Sequence, residues 1–281
     1  MTRSRIVLSR IVLITGATDG LGRALAHRLA AAGDTVLLHG RDQARLDAVA
    51  DAIRDEHGVA RPETFRADLA ELAQVRELAA AVRASTERLD ALVSNAGIGG
   101  GEPDGRDRRE SKDGYELRFA VNYLAGFLLT QELLPLLRAS APARVVNVAS
   151  LGQQEIEFDD VMLEHGYSGT RAYCQSKLAQ IASAVELAER VPADEVTFNS
   201  LHPATYMPTK MVLQEVGHSI DTLETGVEAT WRLVTDPKLA GVSGRFYDRQ
   251  RESQALKQAY DKQARGELYR LSLKLVGLPG E

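Results

Sequence analysis

One cysteine, Cys174, stands in 281 residues, which excludes an internal disulfide framework and any cysteine-rich zinc centre. The six histidines are scattered, and no His/Asp/Glu cluster along the chain has metal-ligand spacing, so no metal is expected. Nor does the order of residues support Ser-His-Asp hydrolysis. Positive charge is not in excess: 34 Lys and Arg face 39 Asp and Glu, and the net charge of −5 gives no reason to expect a nucleic-acid partner. Long hydrophobic runs are missing too. The apolar run Ile11 to Ile14 follows the basic residues Arg3, Arg5 and Arg10, but it is too short for a signal peptide or an anchor, and Gly16 and Asp19 come directly after it. No other span approaches membrane length, so the sequence reads as having no membrane anchor and fits the cytoplasm. Repeats are absent as well: the near-duplication of Arg5 to Leu8 by Arg10 to Leu13 is too short to make a solenoid.

What is present is ordinary in amount, with 44% hydrophobic residues in a length that buries one large core; the expectation is a single domain over 1–281. Short apolar strands alternate with helical patterns in the order of βαβ units, predicting an α/β fold, a doubly wound Rossmann-type domain with a central parallel sheet flanked by helices. Strands are expected at Ile11 to Ile14, Thr35 to Leu38, Glu63 to Ala67, Ala91 to Ser94, Arg144 to Val148 and Val196 to Ser200. Helices are expected at Leu21 to Ala32, Gln43 to Glu56, Leu72 to Arg88, Tyr115 to Leu137, through Tyr173 to about Arg190, and at Thr222 to Leu233. Gly99 to Asp113 is polar and glycine-rich and reads as a surface loop.

Thr15-Gly-Ala-Thr-Asp-Gly-Leu-Gly22 places glycines at 16, 20 and 22 where the first strand turns into a helix. Glycine permits the tight turn and close backbone approach, and a helix N-terminus offers free N–H groups to a pyrophosphate. On the glycines alone a connection without a ligand fits equally well. The second strand ends in His39-Gly-Arg-Asp42, where a dinucleotide fold places the adenosine ribose. Arg41 suits a 2′-phosphate and favours NADP(H), while Asp42 leaves NAD(H) open. The alternative for Arg41 is a solvated side chain paired with Asp42 or Asp47.

Tyr173 and Lys177 are four residues apart in Tyr-Cys-Gln-Ser-Lys and share a helix face, although such spacing is also common on ordinary helix surface. A tyrosine of pKa about 10 exchanges protons poorly near neutrality; an adjacent ammonium supplying about 4 kcal/mol would bring it there. Ser150 as a cap and Asn122 as a partner for buried backbone groups are the plain readings of those two residues. Cys174 points about 100° away from Tyr173 around the helix and reads as a packed thiol, and His202 reads as a hydrogen-bonding loop residue.

These motifs together resemble the short-chain dehydrogenase/reductase family of classical type, from about Ile11 to Leu278. Thr-Gly-x-x-x-Gly-x-Gly fits 15 to 22, Asp68-Leu69 fits the adenine-contacting pair, and Asn95-Ala-Gly97 fits the motif ending the fourth strand. The resemblance implies catalytic roles for Asn122, Ser150, Tyr173 and Lys177. It also implies cofactor contacts at Gly16, Thr18, Asp19, Gly20, Leu21, Gly22, Arg41, Asp68, Leu69, Asn95, Ala96, Gly97, Tyr173, Lys177, Pro203 and Thr205. Asp113 to Asn122, Ala172 to Ala179 and the ending Leu268 to Gly277 are similar to the retinol-dehydrogenase-like branch. That branch is mostly NADP-dependent; its membrane-bound members carry an N-terminal anchor not seen here, so retinoid substrates do not follow.

Three departures stand beside the expected pocket: a longer, more charged loop at Gly99 to Asp113, Ala204 in place of the glycine after Pro203, and the family's threonine displaced to Thr209, with Thr205 a second candidate. The pocket is expected from about 99–113, 151–168 and 204–222, with Leu151, Ile156, Phe158, Met207, Met211 and Leu213 as apolar lining, suited to a moderately large, partly apolar carbonyl or alcohol. Self-association as a homodimer would use the helices near 115–138 and 173–190. The expected function is NADP(H)-dependent interconversion of a carbonyl and an alcohol; the alternative is an NADP-binding sensor or scaffold, or a non-redox enzyme catalysing elimination or isomerisation.

Overall fold

Strand β1 (Ile11–Ile14) sits inside an eight-stranded sheet of order β3-β2-β1-β4-β5-β6-β7-β8, where β2 is Thr35–Gly40, β3 Glu63–Arg66, β4 Ala91–Ser94, β5 Ala143–Val148, β6 Val196–His202, β7 Phe246–Asp248 and β8 Arg251–Ser253. The computed structural model describes residues 9–101 and 105–280; Arg3, Arg5 and the Arg5 to Leu8 copy, and 102–104 of the glycine-rich loop, lie outside them. All neighbouring strands run parallel except β7 and β8. β8 is an antiparallel edge that the six-strand expectation lacked. Both faces of the sheet are covered, which is why β1 reads as an unbroken apolar run. Val12 and Ile14 join the core on one side with helices α1 (Gly20–Ala31), α2 (Gln43–His57) and α7 (Leu223–Thr235), while Leu13 points to the other.

That other layer holds α3 (Leu72–Ser85), α4 (Ala125–Ala139), α5 (Gly169–Arg190) and α8 (Lys262–Leu275). Caps set the boundaries: Asp42 Oδ1 accepts from Arg45 N–H at 3.1 Å to start α2, and Gly58 ends it with φ +64°. The helix expected from Tyr115 begins at Leu117 and passes at once into a π-helical segment, Phe119–Leu124, before α4. Phe119–Ala139 is, by its 21 residues and mean hydropathy of 1.3, long and apolar enough to cross a membrane, against the expectation that no span approaches that length; most of it is buried inside the fold. Helices α6 (Lys210–Glu215) and α8 were not expected.

α8 changes the reading of self-association. Leu268, Tyr269 and Leu273 join the core with Phe127 and Leu128 of α4, Tyr123 Oη and Ser272 Oγ lie 2.7 Å apart, and the Arg190 guanidinium of α5 stacks 3.9 Å from the Tyr269 ring centroid. Arg265 bonds Glu189 at 2.7 Å. α5 is buried without a break from Gln175 to Leu187. The face expected to pair two copies is thus covered in good part by the chain's own C-terminal helix.

Candidate active site

The sheet order reverses between β1 and β4, and ligands of such sheets bind in the crevice at the carboxyl ends of the strands there. The glycine turn lies at that point. Gly16 has φ +68°, and a Cβ on it would sit 2.9 Å from Ala96 Cα; one on Gly22 would sit 2.3 Å from Gly16 O. No side chain fits either place, and the backbone is left bare at the start of α1. Thr15 Oγ1 accepts from the N–H groups of Asn95 (3.0 Å) and Ala96 (3.1 Å), and Asn95 Nδ2 donates to Thr15 O at 2.9 Å, so the turn and the end of β4 are one unit. A residue the sequence did not single out completes it. His39 Nδ1 accepts from Gly16 N–H at 3.3 Å while Nε2 lies 3.2 Å from Ala67 O, which fixes the tautomer with hydrogen on Nε2, and burial pushes this imidazole down to about 4.

Asp19 is placed as the cap of α1. Its Oδ1 accepts from Gly20 N–H at 2.8 Å, and its Oδ2 pairs with Arg45 at 2.9 Å. Partial burial works against ionisation, but these two partners outweigh it and lower the carboxyl's pKa. Arg41 is exposed, and among the described residues it has no hydrogen bond or ion pair. Neither proposed partner holds it: Asp42 caps α2, and Asp47 bonds Arg61 at 2.7 Å. Thr18 packs at the end of β2, where a Cβ on Gly40 would meet its Cγ2 at 2.6 Å. Asp68 Oδ1 accepts from Ala70 N–H at 3.0 Å, and Leu69 is buried beside it.

Tyr173 and Lys177 share one face of α5, which Ser168 caps by accepting from Arg171 N–H at 3.1 Å. Tyr173 stands next to Ser150, both side chains flanking Gly152, and Ser150 Oγ accepts from Gly152 N–H at 2.9 Å. Lys177 Nζ is buried, donates to Val148 O and Gln180 Oε1 at 2.9 Å each, and lies 5.6 Å from the Tyr173 ring centroid. A Cβ on Gly97 would sit 3.2 Å from Asn122 Oδ1 and 3.6 Å from Lys177 Nζ, so these two side chains flank one glycine. Asn122 accepts from Ile98 N–H at 2.8 Å and donates to Ile98 O (3.1 Å) and Ser176 Oγ (3.0 Å). It does so inside the π-helical segment, where Ala125 N–H reaches back five residues to Ala120 O.

The expected lowering of the tyrosine is not found. Burial pushes the Tyr173 phenol up to about 12, with Ser150 opposing and Glu215 adding, and the same burial brings the Lys177 ammonium down to about 7. Cys174 is half-buried rather than packed in the core; a Cβ on Gly152 would meet its Sγ at 3.5 Å and Ser150 Oγ at 3.4 Å.

Around this centre the predicted pocket segments divide. Arg118, fully buried, donates to Gly99 O at 2.7 Å and Gly100 O at 3.1 Å, and Glu215 Oε1 of α6 accepts from Gly101 N–H at 2.9 Å. The far end of the loop does other work: Asp113 Oδ2 accepts from Leu72 N–H at 2.9 Å at the start of α3. Thr209 caps α6 and stands against Gly20, while Met207 packs on Gly226 and Leu21. Thr205 Oγ1 is taken by Arg249 Nη2 and lies near His202 Nε2, both at 3.1 Å, and Thr205 N–H bonds Asp221 at 2.7 Å; Pro203 is buried beside His202. Arg249 and Asp221 therefore hold this segment, which no sequence signal announced. Of the apolar lining expected, Ile156 is in the core, whereas Leu151 and Leu213 are exposed together with Tyr206 and Ile220.

A bare glycine turn at the switch point, with Ser150, Tyr173 and Lys177 gathered next to it, is the arrangement of a nucleotide-dependent oxidoreductase. The sequence of the short chain dehydrogenase family matches residues 10–218. The chain is 34% identical to human retinol dehydrogenase 13, covering 96% of this chain and 85% of that one, and 36% identical to mouse polyprenol dehydrogenase over the same shares. A short chain dehydrogenase from Shigella flexneri complexed with NADP superposes with a TM-score of 0.70 at 27% identity, over 88% of this chain and 100% of that one. The protein belongs to the short-chain dehydrogenase family, with retinol-dehydrogenase-like relatives, and is an oxidoreductase of alcohol and carbonyl groups whose family uses NAD(P).

Proposed function

We propose that this protein is an NADP(H)-preferring oxidoreductase that interconverts a carbonyl and an alcohol on an apolar small molecule, with Tyr173 as the general acid and base. The observation that carries the reading is Tyr173 standing next to Ser150, with the buried Lys177 Nζ 5.6 Å from its ring centroid. Bound nucleotide supplies or accepts the hydride. A phenol held at about 12 stays protonated through the neutral range, the state needed to donate a proton to a carbonyl oxygen during reduction. Ser150 Oγ orients the same oxygen, and Lys177 places its charge behind the ring. Asn122 ties the end of β4 to α5 and so holds Lys177 and Gly97 in register.

Arg41, exposed just past the end of β2 and with no hydrogen bond or ion pair among the described residues, supports recognition of a 2′-phosphate, and Asp42 is engaged in capping α2. Exposed Leu151, Tyr206, Leu213 and Ile220 support an apolar substrate, in keeping with relatives named for retinol and polyprenol. The test is oxidation of NADPH and NADH by the purified protein over a panel of apolar aldehydes and ketones, run beside Tyr173→Phe. NADPH-preferring turnover that disappears in the variant is the expected result. Tight NADPH binding by both proteins with no turnover of any carbonyl overturns the reading in favour of a sensor.

A further inference from the structure

The far end of α2 passes the third turn of α1 away from the glycine turn, and three side chains meet there. His27 Nδ1 lies 3.1 Å from Glu56 Oε2 and 3.2 Å from His57 Nε2, and the three atoms, one from each residue, all fall within 4.8 Å of one another. At most one proton sits on His27 Nδ1, so it is at best shared between the two neighbours, whereas a single cation among the three satisfies every lone pair. Two of the three edges, 3.1 and 3.2 Å, are of the right size. Two zinc–ligand bonds of about 2.0–2.1 Å at a tetrahedral angle separate their ligand atoms by roughly 3.3–3.4 Å.

We propose that His27, Glu56 and His57 form a site for a zinc-class divalent transition metal, two imidazoles and one carboxylate with a fourth position for water, tying α1 to α2. The Glu56 side chain is 59% exposed, which leaves that position open to solvent. His27 Nε2 is buried without a hydrogen-bond partner among the described residues, so the outer acceptor that usually orients a metal-bound histidine is missing, and affinity is lower by about 10–100-fold than in a fully supported site. The separation of 30 positions between His27 and His57 hides the cluster in the sequence, where no metal spacing was visible.

Titration calorimetry of the untagged full-length chain with zinc chloride tests this, with magnesium chloride as a control because that ion prefers oxygen ligands. One zinc per chain, no magnesium heat, and binding at least about tenfold weaker in His27→Gln and His57→Gln is the expected result. Glu56→Gln, at an exposed position, repeats the test without risk to the fold. Absence of zinc binding overturns the proposal. So does zinc binding that all three variants retain, which places the metal elsewhere, such as on the Cys174 thiol.

Discussion

Lys177 Nζ stands 5.6 Å from the centroid of the Tyr173 ring, yet its hydrogen bonds among the described residues run the other way, to Val148 O and Gln180 Oε1. The lysine is anchored to the sheet and to its own helix, while the tyrosine stands beside Ser150. Replacing Tyr173 by Phe removes the proton donor while keeping the ring. Carbonyl reduction should fall by about 10²–10⁴-fold with nucleotide binding retained. Alcohol oxidation, which needs the phenolate of a group pushed up to about 12, should rise with pH above neutrality, and Glu215→Gln should move that rise to lower pH by removing a nearby negative charge. Steady-state rates against pH in both directions check this.

Arg41→Ala should raise KM for NADPH about 10- to 100-fold and leave KM for NADH almost unchanged. Charge-assisted hydrogen bonds to a phosphate contribute roughly 1.5–3 kcal/mol, and among the described residues the side chain has no partner to give up when it is lost. Equal effects on the two nucleotides would remove the argument for a 2′-phosphate site.

Tyr167 Oη donates to Glu116 Oε1 at 3.0 Å and accepts from Arg118 Nη1 at 2.6 Å, both charged partners being fully buried. Tyr167→Phe should cost about 1–3 kcal/mol of stability, and Arg118→Met about 3–5 kcal/mol by leaving the Glu116 charge uncompensated. Because Arg118 also holds Gly99 and Gly100, both variants should raise KM for the carbonyl substrate. Urea unfolding and steady-state kinetics report the two effects separately.

His39 titrates near 6.5 when unfolded and at about 4 in the fold. Between those values the unfolded chain binds the proton and the folded one does not. Its contribution to stability is therefore complete above 6.5 and lost as pH falls toward 4, by at most about 3 kcal/mol. His39→Asn, which keeps an acceptor near Gly16 N–H, should flatten that part of the stability–pH curve. Urea midpoints measured across the range check it.

With α8 lying over α4 and α5, light scattering should return a mass near 30.6 kDa, that of one chain. Leu268→Asp places a charge in that buried seam, and the protein should then lose stability and associate. A wild-type dimer would show that another surface pairs.

The βαβ order was legible because parallel strands buried on both faces read as unbroken apolar runs and because glycines and caps mark where helices stop. The short strands β7 and β8 and the one-and-a-half turns of α6 carry no such signal, since three to six residues are too few for a period to show. α8 escaped for another reason: its buried face is completed by Tyr123, Phe127 and Arg190, residues distant in sequence.

By itself the sequence determined the class of fold and the glycine turn, because these depend on local spacing and on which residue types the backbone tolerates, whereas Ser150, Tyr173 and Lys177 took catalytic roles only through the resemblance to the family's motifs. Only the tertiary structure decided the charge states at the centre, since the direction in which Tyr173 and Lys177 shift depends on burial among elements that meet across the chain. It also decided that Arg249 and Arg118 position the loops around the site, that His39 braces the turn, and that His27 meets His57. Contacts of this kind are made by side chains of distant sequence position, and no local pattern encodes them.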